Sequence, residues 1–335
     1  MNQISEPVIA VFGATGHTGK FVVAELLNRG LTPIPVARNS QALAAADFGS
    51  PNIISRQAIV DDPAALDRAV RGAQLVINCA GPFANTAHAV ATAAIRAGAH
   101  YMDICAEQKA AQEILEFFDK PARRENVAVV PAMAFYGGFA DLLTVAALGE
   151  WDSADAVDIL IGLDSWHPTI GSRNTMNTVG RQVIAGGQLV PASSSVRKRW
   201  SFEEPFGEQI LEEMPFSEII LISRHLKASE IHNYLSQVAL DDARDPSTPP
   251  PEGIDARGRS AQRFIVEAVV TRDGEQRRAS ARGQDSYSAT ASMIGEAAER
   301  LLRARDVPAG THTPGELFKA ADFLAALDLE SFVRG

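Results

Sequence analysis

The apolar run Val8-Ile9-Ala10-Val11-Phe12, followed at once by Gly13-Ala14-Thr15-Gly16-His17-Thr18-Gly19, limits the fold of this chain more than any other stretch. After it, residues 20–29 place Phe21, Val22, Ala24, Leu26 and Leu27 at helical spacing, and Gly30 stands where a helix ends. The pattern predicts a strand, a tight turn and a helix. Gly13 permits the sharp exit from the strand. Gly16 lets the main chain approach a diphosphate, and Gly19 allows the helix to pack close to the sheet. The helix start then offers N–H groups and a positive dipole end to phosphate oxygens. A dinucleotide-binding turn made of Gly13, Ala14, Thr15, Gly16, His17, Thr18 and Gly19 is the first expectation, in the G-x-x-G-x-x-G variant of the G-x-G-x-x-G geometry.

The same grammar continues through about residue 135. Strand signals cover 32–37, 53–60, 75–79, 101–105 and 127–131, with helix signals over 62–72, 86–97 and 109–125. Pro33 and Pro35 weaken the second strand. Such alternation gives an α/β doubly wound parallel sheet with right-handed crossovers. After residue 150 the pattern changes. Strands are expected over 156–163 and 196–202, and two more, 263–271 and 275–283, flank Asp273-Gly274, a hairpin signal. A second domain with an antiparallel or mixed sheet follows. Residues 241–262, with Pro246, Pro249, Pro250, Pro251, Gly253 and Gly258, read as a long loop and a candidate lid. Residues 286–305 return to helical spacing. The expected division is 1–150 for nucleotide binding, 151–285 for substrate, and 286–335 as a C-terminal helical segment.

Composition removes several classes. At 335 residues the chain has room for two domains, and its 46% hydrophobic and 21% charged content is ordinary for globular proteins. The net charge of −10 and the lack of a dense Lys/Arg face argue against nucleic acid. Cys79 and Cys105 make neither a disulfide framework nor a four-cysteine zinc site, and the seven histidines show no H-x-x-x-H or H-x-H spacing, so no metal is expected. The first thirteen residues lack the basic and apolar parts of a signal peptide, which makes cytoplasm the default expectation. The apolar window 126–149 is interrupted by Pro131, Gly137-Gly138 and Asp141, and reads as a strand and a helix rather than a membrane span.

The end of the second strand bears on which nucleotide binds. Residues 31–46 contain no Asp or Glu to take ribose hydroxyls, while Arg38, then Asn39 and Ser40, follow the strand. A guanidinium suits a 2′-phosphate, which favours NADP; the plain alternative is a solvated arginine. Asp61 either borders the adenine or caps a helix. Cys79-Ala80-Gly81-Pro82-Phe83 ends the fourth strand, where small residues admit a nicotinamide ribose; an ordinary strand-to-helix turn explains the same residues. For chemistry, Asp103 and Cys105 close the fifth strand beside the crevice of such sheets, with Glu107 near in sequence, and Tyr136 follows the sixth. Asp103 is either a proton relay or a helix cap, Cys105 a thiol or a small buried apolar residue, and Tyr136 a donor or a packing ring. In the second domain, Trp166-His167-Pro168 and Ser172-Arg173-Asn174-Thr175 bracket a turn where Arg173 and a helix start suit a carboxylate. His225 and the basic run Arg197-Lys198-Arg199-Trp200 are weaker candidates.

Together, GATGHTG, ARN, VINCAGPF and HYMDICAE resemble the NADP-binding domain of the saccharopine dehydrogenase-like oxidoreductases, a family that includes saccharopine reductases and trans-acting enoyl reductases. The resemblance spans roughly residues 7–143 and returns faintly at 172–175 and 287–302. It implies a Rossmann domain, an inserted α+β substrate and dimerisation domain, and a returning C-terminal helix. It further implies a homodimer and an NADPH-dependent reductase acting on a small imine, carbonyl or activated C=C acceptor in the cleft between domains. Two other readings stand beside it: a non-catalytic NADP sensor and an enoyl reductase on a lipid-like substrate. The Tyr-x-x-x-Lys pair of short-chain dehydrogenases is absent, because Cys105, Ala140, Val238 and Ala291 stand four places after the four tyrosines.

Overall fold

The computed structural model describes residues 7–177, 179–193 and 195–335. Residues 1–6, where the signal-peptide reading begins, lie outside the described residues. In chain order the elements start with β1 (Val8–Phe12), α1 (His17–Asn28), β2 (Thr32–Ala37), α2 (Ser40–Ala45), β3 (Arg56–Gln57) and α3 (Pro63–Val70). Next come β4 (Leu75–Asn78), α4 (Phe83–Arg96), β5 (His100–Asp103), α5 (Gln108–Phe117), α6 (Asp119–Arg124) and β6 (Ala128–Val130). A broken turn, Phe135–Phe139, leads into α7 (Ala140–Leu148), β7 (Ser153–Leu163), α8 (Ile170–Met176), β8 (Gln182–Ala185), β9 (Gln188–Pro191), β10 (Arg197–Ser201) and β11 (Glu208–Glu213). There follow α9 (Glu218–His225), β12 (Lys227–Ser236), α10 (Gln237–Arg244), β13 (Arg263–Arg272), β14 (Glu275–Gln284) and α11 (Ser286–Arg303). The chain closes with β15 (Gly310–Thr311), α12 (Pro314–Leu317), α13 (Ala320–Ala325) and β16 (Ser331–Arg334).

Two compact units result. The first comprises Met1–Cys105, Lys109–Ala134 and Thr290–His312; the second comprises Ala106–Gln108, Phe135–Ala289 and Thr313–Gly335. The units therefore divide residues 135–150 and 286–335 differently from the pattern. Phe135–Phe139 and α7 are part of the second unit. Most of α11 and β15 belong to the first, and the chain then goes back to the second for α12, α13 and β16.

The first unit holds a seven-stranded sheet in the order β15-β6-β5-β4-β1-β2-β3, with every pair parallel. Its strands are short apolar runs because helices link them and little of the sheet meets water: Ile9, Ala10, Val11, Leu75, Val76 and Ile77 are all 0% exposed. Pro33 and Pro35 are tolerated in β2 because β3 pairs only with Val36 and Ala37, so no ladder to β3 is lost at the prolines. The strand expected over 53–60 shrinks to β3 because its apolar residues find no cover: Ile54 and Ile59 are exposed. The single helix expected over 109–125 is two. Pro121 has no N–H for the carbonyl of Phe117, so α5 stops and α6 starts at Asp119, with only Phe118 between them. Arg29, at the end of α1, ties α11 down through Glu296 (2.7 Å) and Glu299 (2.9 Å).

The second unit holds a nine-stranded mixed sheet with the path β10-β11-β12-β7-β13-β14-β16, β8 joining β12 and β9 joining β8. The β7–β12 pair is parallel; the other pairs are antiparallel. The hairpin β13–β14 turns on Asp273 (φ 52°) and Gly274 (φ 79°), the two left-handed residues that a tight hairpin of this twist requires. The apolar window 126–149 resolves into β6, the broken turn and α7. Among the described residues no helix is long and apolar enough to cross a membrane. The loop expected over 241–262 yields its start to α10 and is otherwise irregular.

Candidate functional site

The order of the parallel sheet reverses between β1 and β4, and ligands of such sheets bind beyond the carboxyl ends of the strands at that point. Gly13 leaves β1 there with φ +73°, and a Cβ on it would lie 2.7 Å from the Cys79 carbonyl carbon, so the turn after β1 rests directly on the chain leaving β4. Gly19 is equally constrained: its Cβ would sit 2.2 Å from the Gly13 carbonyl oxygen. It packs α1 onto its own turn. Gly16 is the N-cap of α1, with no side chain capping the helix, and its N–H donates to the Gly13 carbonyl (2.9 Å). Main-chain N–H groups at an uncapped helix start, in a turn with almost no side-chain bulk, fit a diphosphate.

Beyond β2, Arg38 is exposed, and its guanidinium forms no ion pair among the described residues. Asn39 is already committed: its Oδ1 accepts from Gln41 N (2.9 Å) and Ala42 N (3.1 Å) to cap α2. Asp61 is exposed and caps nothing; Asp62 does that for α3, accepting from Ala65 N (3.0 Å).

Two residues that pattern reasoning misses shape the turn after β4. Asn78, 0% exposed, accepts from Ala80 N (3.0 Å) and donates to Thr86 Oγ1 (3.2 Å), while Thr86 donates to the Ala80 carbonyl (2.5 Å). They hold Cys79, Ala80 and Gly81 in a flat turn that ends at Pro82, the N-cap of α4, with Phe83 buried behind it. An amide closing a strand, eight residues before a threonine, is the only trace of this in the sequence. Burial raises the Cys79 thiol pKa, and the Asp103 charge raises it further, so it is a protonated, unreactive thiol.

Asp103 and Cys105 are brought together but enclosed, both at 0% exposure. Asp103 accepts from Cys105 N (3.0 Å), Ala132 N (2.8 Å) and the Tyr101 hydroxyl (2.9 Å), and so fastens the end of β5 to the chain after β6. Burial raises its pKa while these hydrogen bonds oppose the rise. The helix-cap alternative is not what the structure has, since α5 starts at Gln108 and Asp103 caps nothing there.

Tyr136 differs. It sits in the broken turn, with φ −92° and ψ 67°, and its carbonyl accepts from Ser217 Oγ (2.8 Å). Its ring is half-buried against Phe216 (4.5 Å between centroids) and Trp166 (5.4 Å). Its hydroxyl is enclosed and has no hydrogen-bond partner among the described residues. Burial, then the nearby Tyr287 and Glu218, push its pKa well up, so it stays protonated.

The remaining candidates in the second unit are mostly structural. Arg173 lies inside α8, and Thr169 is the cap. Its guanidinium donates to the carbonyls of Ala243 (3.0 Å), Asp245 (3.0 Å) and Thr248 (2.7 Å), pinning the start of the proline-rich loop instead of presenting charge to a ligand. His225 pairs with the buried Asp141 (2.6 Å). The basic run splits by strand period: Arg197 and Arg199 are exposed on β10, while Lys198 pairs with Asp158 (2.5 Å) and the Trp200 indole donates to Glu267 (2.8 Å). No group of three or more His, Cys, Asp or Glu among the described residues is arranged to hold a metal ion.

Residues 9–136 match the family model of the saccharopine dehydrogenase NADP binding domain. A mouse saccharopine dehydrogenase-like oxidoreductase is 30% identical over 152 residues, 40% of this chain and 35% of that protein. A Caenorhabditis elegans lipid droplet localized protein is 30% identical over 146 residues, 40% of this chain and 34% of the other. The alignments thus span only about a third of these curated relatives. Among solved structures, yeast saccharopine dehydrogenase (L-Glu forming) superposes over 98% of this chain and 100% of that one with a TM-score of 0.66 at 12% identity, a likeness of fold.

Proposed function

We propose, from the match of residues 9–136 to the saccharopine dehydrogenase NADP binding domain, that this chain is an NADPH-dependent reductase of a small polarised double bond: an imine, a carbonyl or an activated C=C. The observation that carries the reading is the uncapped start of α1 behind Gly13 and Gly16, at the sheet's reversal point. Residues 13–19 hold the diphosphate through main-chain N–H groups. Arg38 pairs with the 2′-phosphate, Asp61 borders the adenine, and residues 79–83 lie along the nicotinamide ribose. Bound NADPH supplies a hydride; the protein supplies position and a proton.

Of the three groups nominated for proton work, Asp103 and Cys105 order the ends of β5 and β6, and Tyr136 keeps an unspent hydroxyl. Tyr136 is the donor in this reading. Its shielding from bulk water and its raised pKa keep the proton on oxygen until an acceptor heteroatom arrives. Calorimetric titration with NADPH and NADH tests the reading. Arg38→Ala is expected to weaken NADPH by about tenfold or more and leave NADH nearly unchanged. Equal losses for the two nucleotides would remove Arg38 from the 2′-phosphate, and no heat with either would remove the redox assignment. NADPH oxidation with a panel of 2-oxo acids and primary amines then identifies the acceptor.

A further inference from the structure

We propose that Trp166 decides which acceptors reach Tyr136, as the gate residue of a strap, residues 165–173, whose latch is the Tyr287 hydroxyl. This rests on the reading of Tyr136 as the proton donor. The Tyr136 ring is half-buried but its hydroxyl is enclosed, so an acceptor heteroatom meets the hydroxyl only after something covering it moves. Three rings lie against Tyr136: Phe135 at 5.0 Å, Phe216 at 4.5 Å and Trp166 at 5.4 Å between centroids. Phe135 and Phe216 are core residues, 2% and 1% exposed. Phe135 also packs on Phe139 and Phe264, and Phe216 N donates to Glu218 Oε1 (2.7 Å). Neither can leave without opening a close-packed interior. Trp166 is just as enclosed, at 2%, but the chain that carries it is not. Of residues 165–176 only Trp166 and Pro168 are buried, and α8 buries no residue at all.

What holds the strap is hydrogen bonding. Its near end is fastened where Gln262 Nε2 donates to the Ser165 carbonyl (2.9 Å), and its far end where Arg173 donates to the carbonyls of Ala243, Asp245 and Thr248. Between the ends, Trp166 N donates to Asp242 Oδ2 (2.9 Å). Tyr287 Oη accepts from Trp166 Nε1 (3.3 Å) and Thr169 N (3.1 Å), and a third hydrogen bond joins it to Ser172 Oγ (2.8 Å). Tyr287 stands on a rigid base. Asp285, 0% exposed, accepts from Tyr287 N (2.9 Å) and Ser288 N (3.0 Å) at the start of α11, and from Ser260 N (2.6 Å). One fixed phenol oxygen thus secures three points of a segment with little apolar burial. Such bonds exchange for bonds to water, an exchange that a buried apolar side chain does not have. With them released, the strap swings between its fastened ends, the indole lifts from the Tyr136 ring, and the acceptor enters against the phenol. Closure returns the indole as a wall, so a substituent beside the reacting bond is tolerated only as far as the indole leaves room.

The test reads Tyr136 itself. Tetranitromethane nitrates accessible tyrosines, and mass spectrometry of the full chain locates the product. Nitration at Tyr136 is expected to be slow in wild type and about tenfold faster in Tyr287→Phe and Trp166→Ala. Tyr101, 0% exposed in the parallel sheet, should stay unmodified throughout and reports that the fold is intact. Where Tyr101 reacts too, Ser172→Ala, which removes one contact from the strap side, takes that variant's place. In hydrogen exchange, Tyr287→Phe should speed residues 165–173 about tenfold and leave residues 215–222 unchanged. Nitration that ignores these substitutions overturns the gate, and unaltered exchange overturns the latch. With an active acceptor, Trp166→Ala should raise kcat/KM for a branched acceptor relative to its unbranched homologue about tenfold or more, with Trp166→Phe in between. An unchanged ratio overturns the role in specificity. Full turnover in Tyr136→Phe, or failure of NADPH to bind, strikes the reading of Tyr136 as donor and the specificity role with it, while nitration and exchange still judge the strap.

Discussion

Asn78 is a residue whose work is invisible until the fold closes. Its side chain bridges Ala80 N and Thr86, so Asn78→Ala leaves the half-buried Ala80 N–H and the buried Thr86 hydroxyl without this partner, at a cost of about 1 kcal/mol or more. Denaturant titration should show that loss, and NADPH affinity should fall with it because the turn over residues 79–83 loosens. Equal midpoints and equal affinity would mean the turn holds its shape unaided. Gly19 carries a sharper constraint. The atom that a Cβ would strike is main-chain oxygen, which cannot rotate away, so Gly19→Ala should cost about 1–3 kcal/mol and weaken both nucleotides together. The glycine turn is legible because its chemistry is local: strand, glycines and helix are contiguous. Asn78 and Thr86 are not, because each gains its role from a partner chosen by folding.

At the scale of elements, the pair His225–Asp141 joins α9 to α7, and the N–H of Gly315 in α12 donates to the same carboxylate (2.7 Å). Burial alone would lower the His225 pKa, but Asp141 and Glu316 outweigh it and the net direction is up from 6.5. A histidine raised in the folded state stabilises fully below its unfolded value and loses that contribution as pH rises through the folded one. Thermal melting should therefore show a gap between wild type and His225→Ala that is wide near pH ~6 and narrows by pH ~9. A gap that widens with pH would mean that the pair is neutral. The long helix α11 and the hairpin β13–β14 follow from periodicity and from Asp273-Gly274. Strands of two to four residues, such as β3, β8, β9, β15 and β16, carry too short a pattern to be read.

Across the whole molecule, the chain passes between units at residues 106–108, 135, 290 and 313, which is why boundaries drawn from pattern changes at 150 and 286 fall in other places. Composition and periodicity show where one kind of sheet gives way to another. They do not show that β15 lies beside β6, or β16 beside β14, in two different sheets. A chain ending at residue 312 keeps the first unit but loses β16, α12 and α13. It is expected to bare the edge of β14 at Ala279–Arg282 and to strip Asp141 of its Gly315 donor. Size-exclusion chromatography should find it associated and binding a hydrophobic dye. A monodisperse truncated chain with an unaltered melting profile would show that the second sheet is complete without its last strand.

The excursion of the polypeptide out to β15 and home again to β16 also dictates timing at the ribosome. Neither sheet can be finished while its final strand, β15 for the first and β16 for the second, is still inside the exit tunnel, so each keeps one open border until that strand emerges. Open strand edges of this kind are what pair with other nascent chains during such an interval.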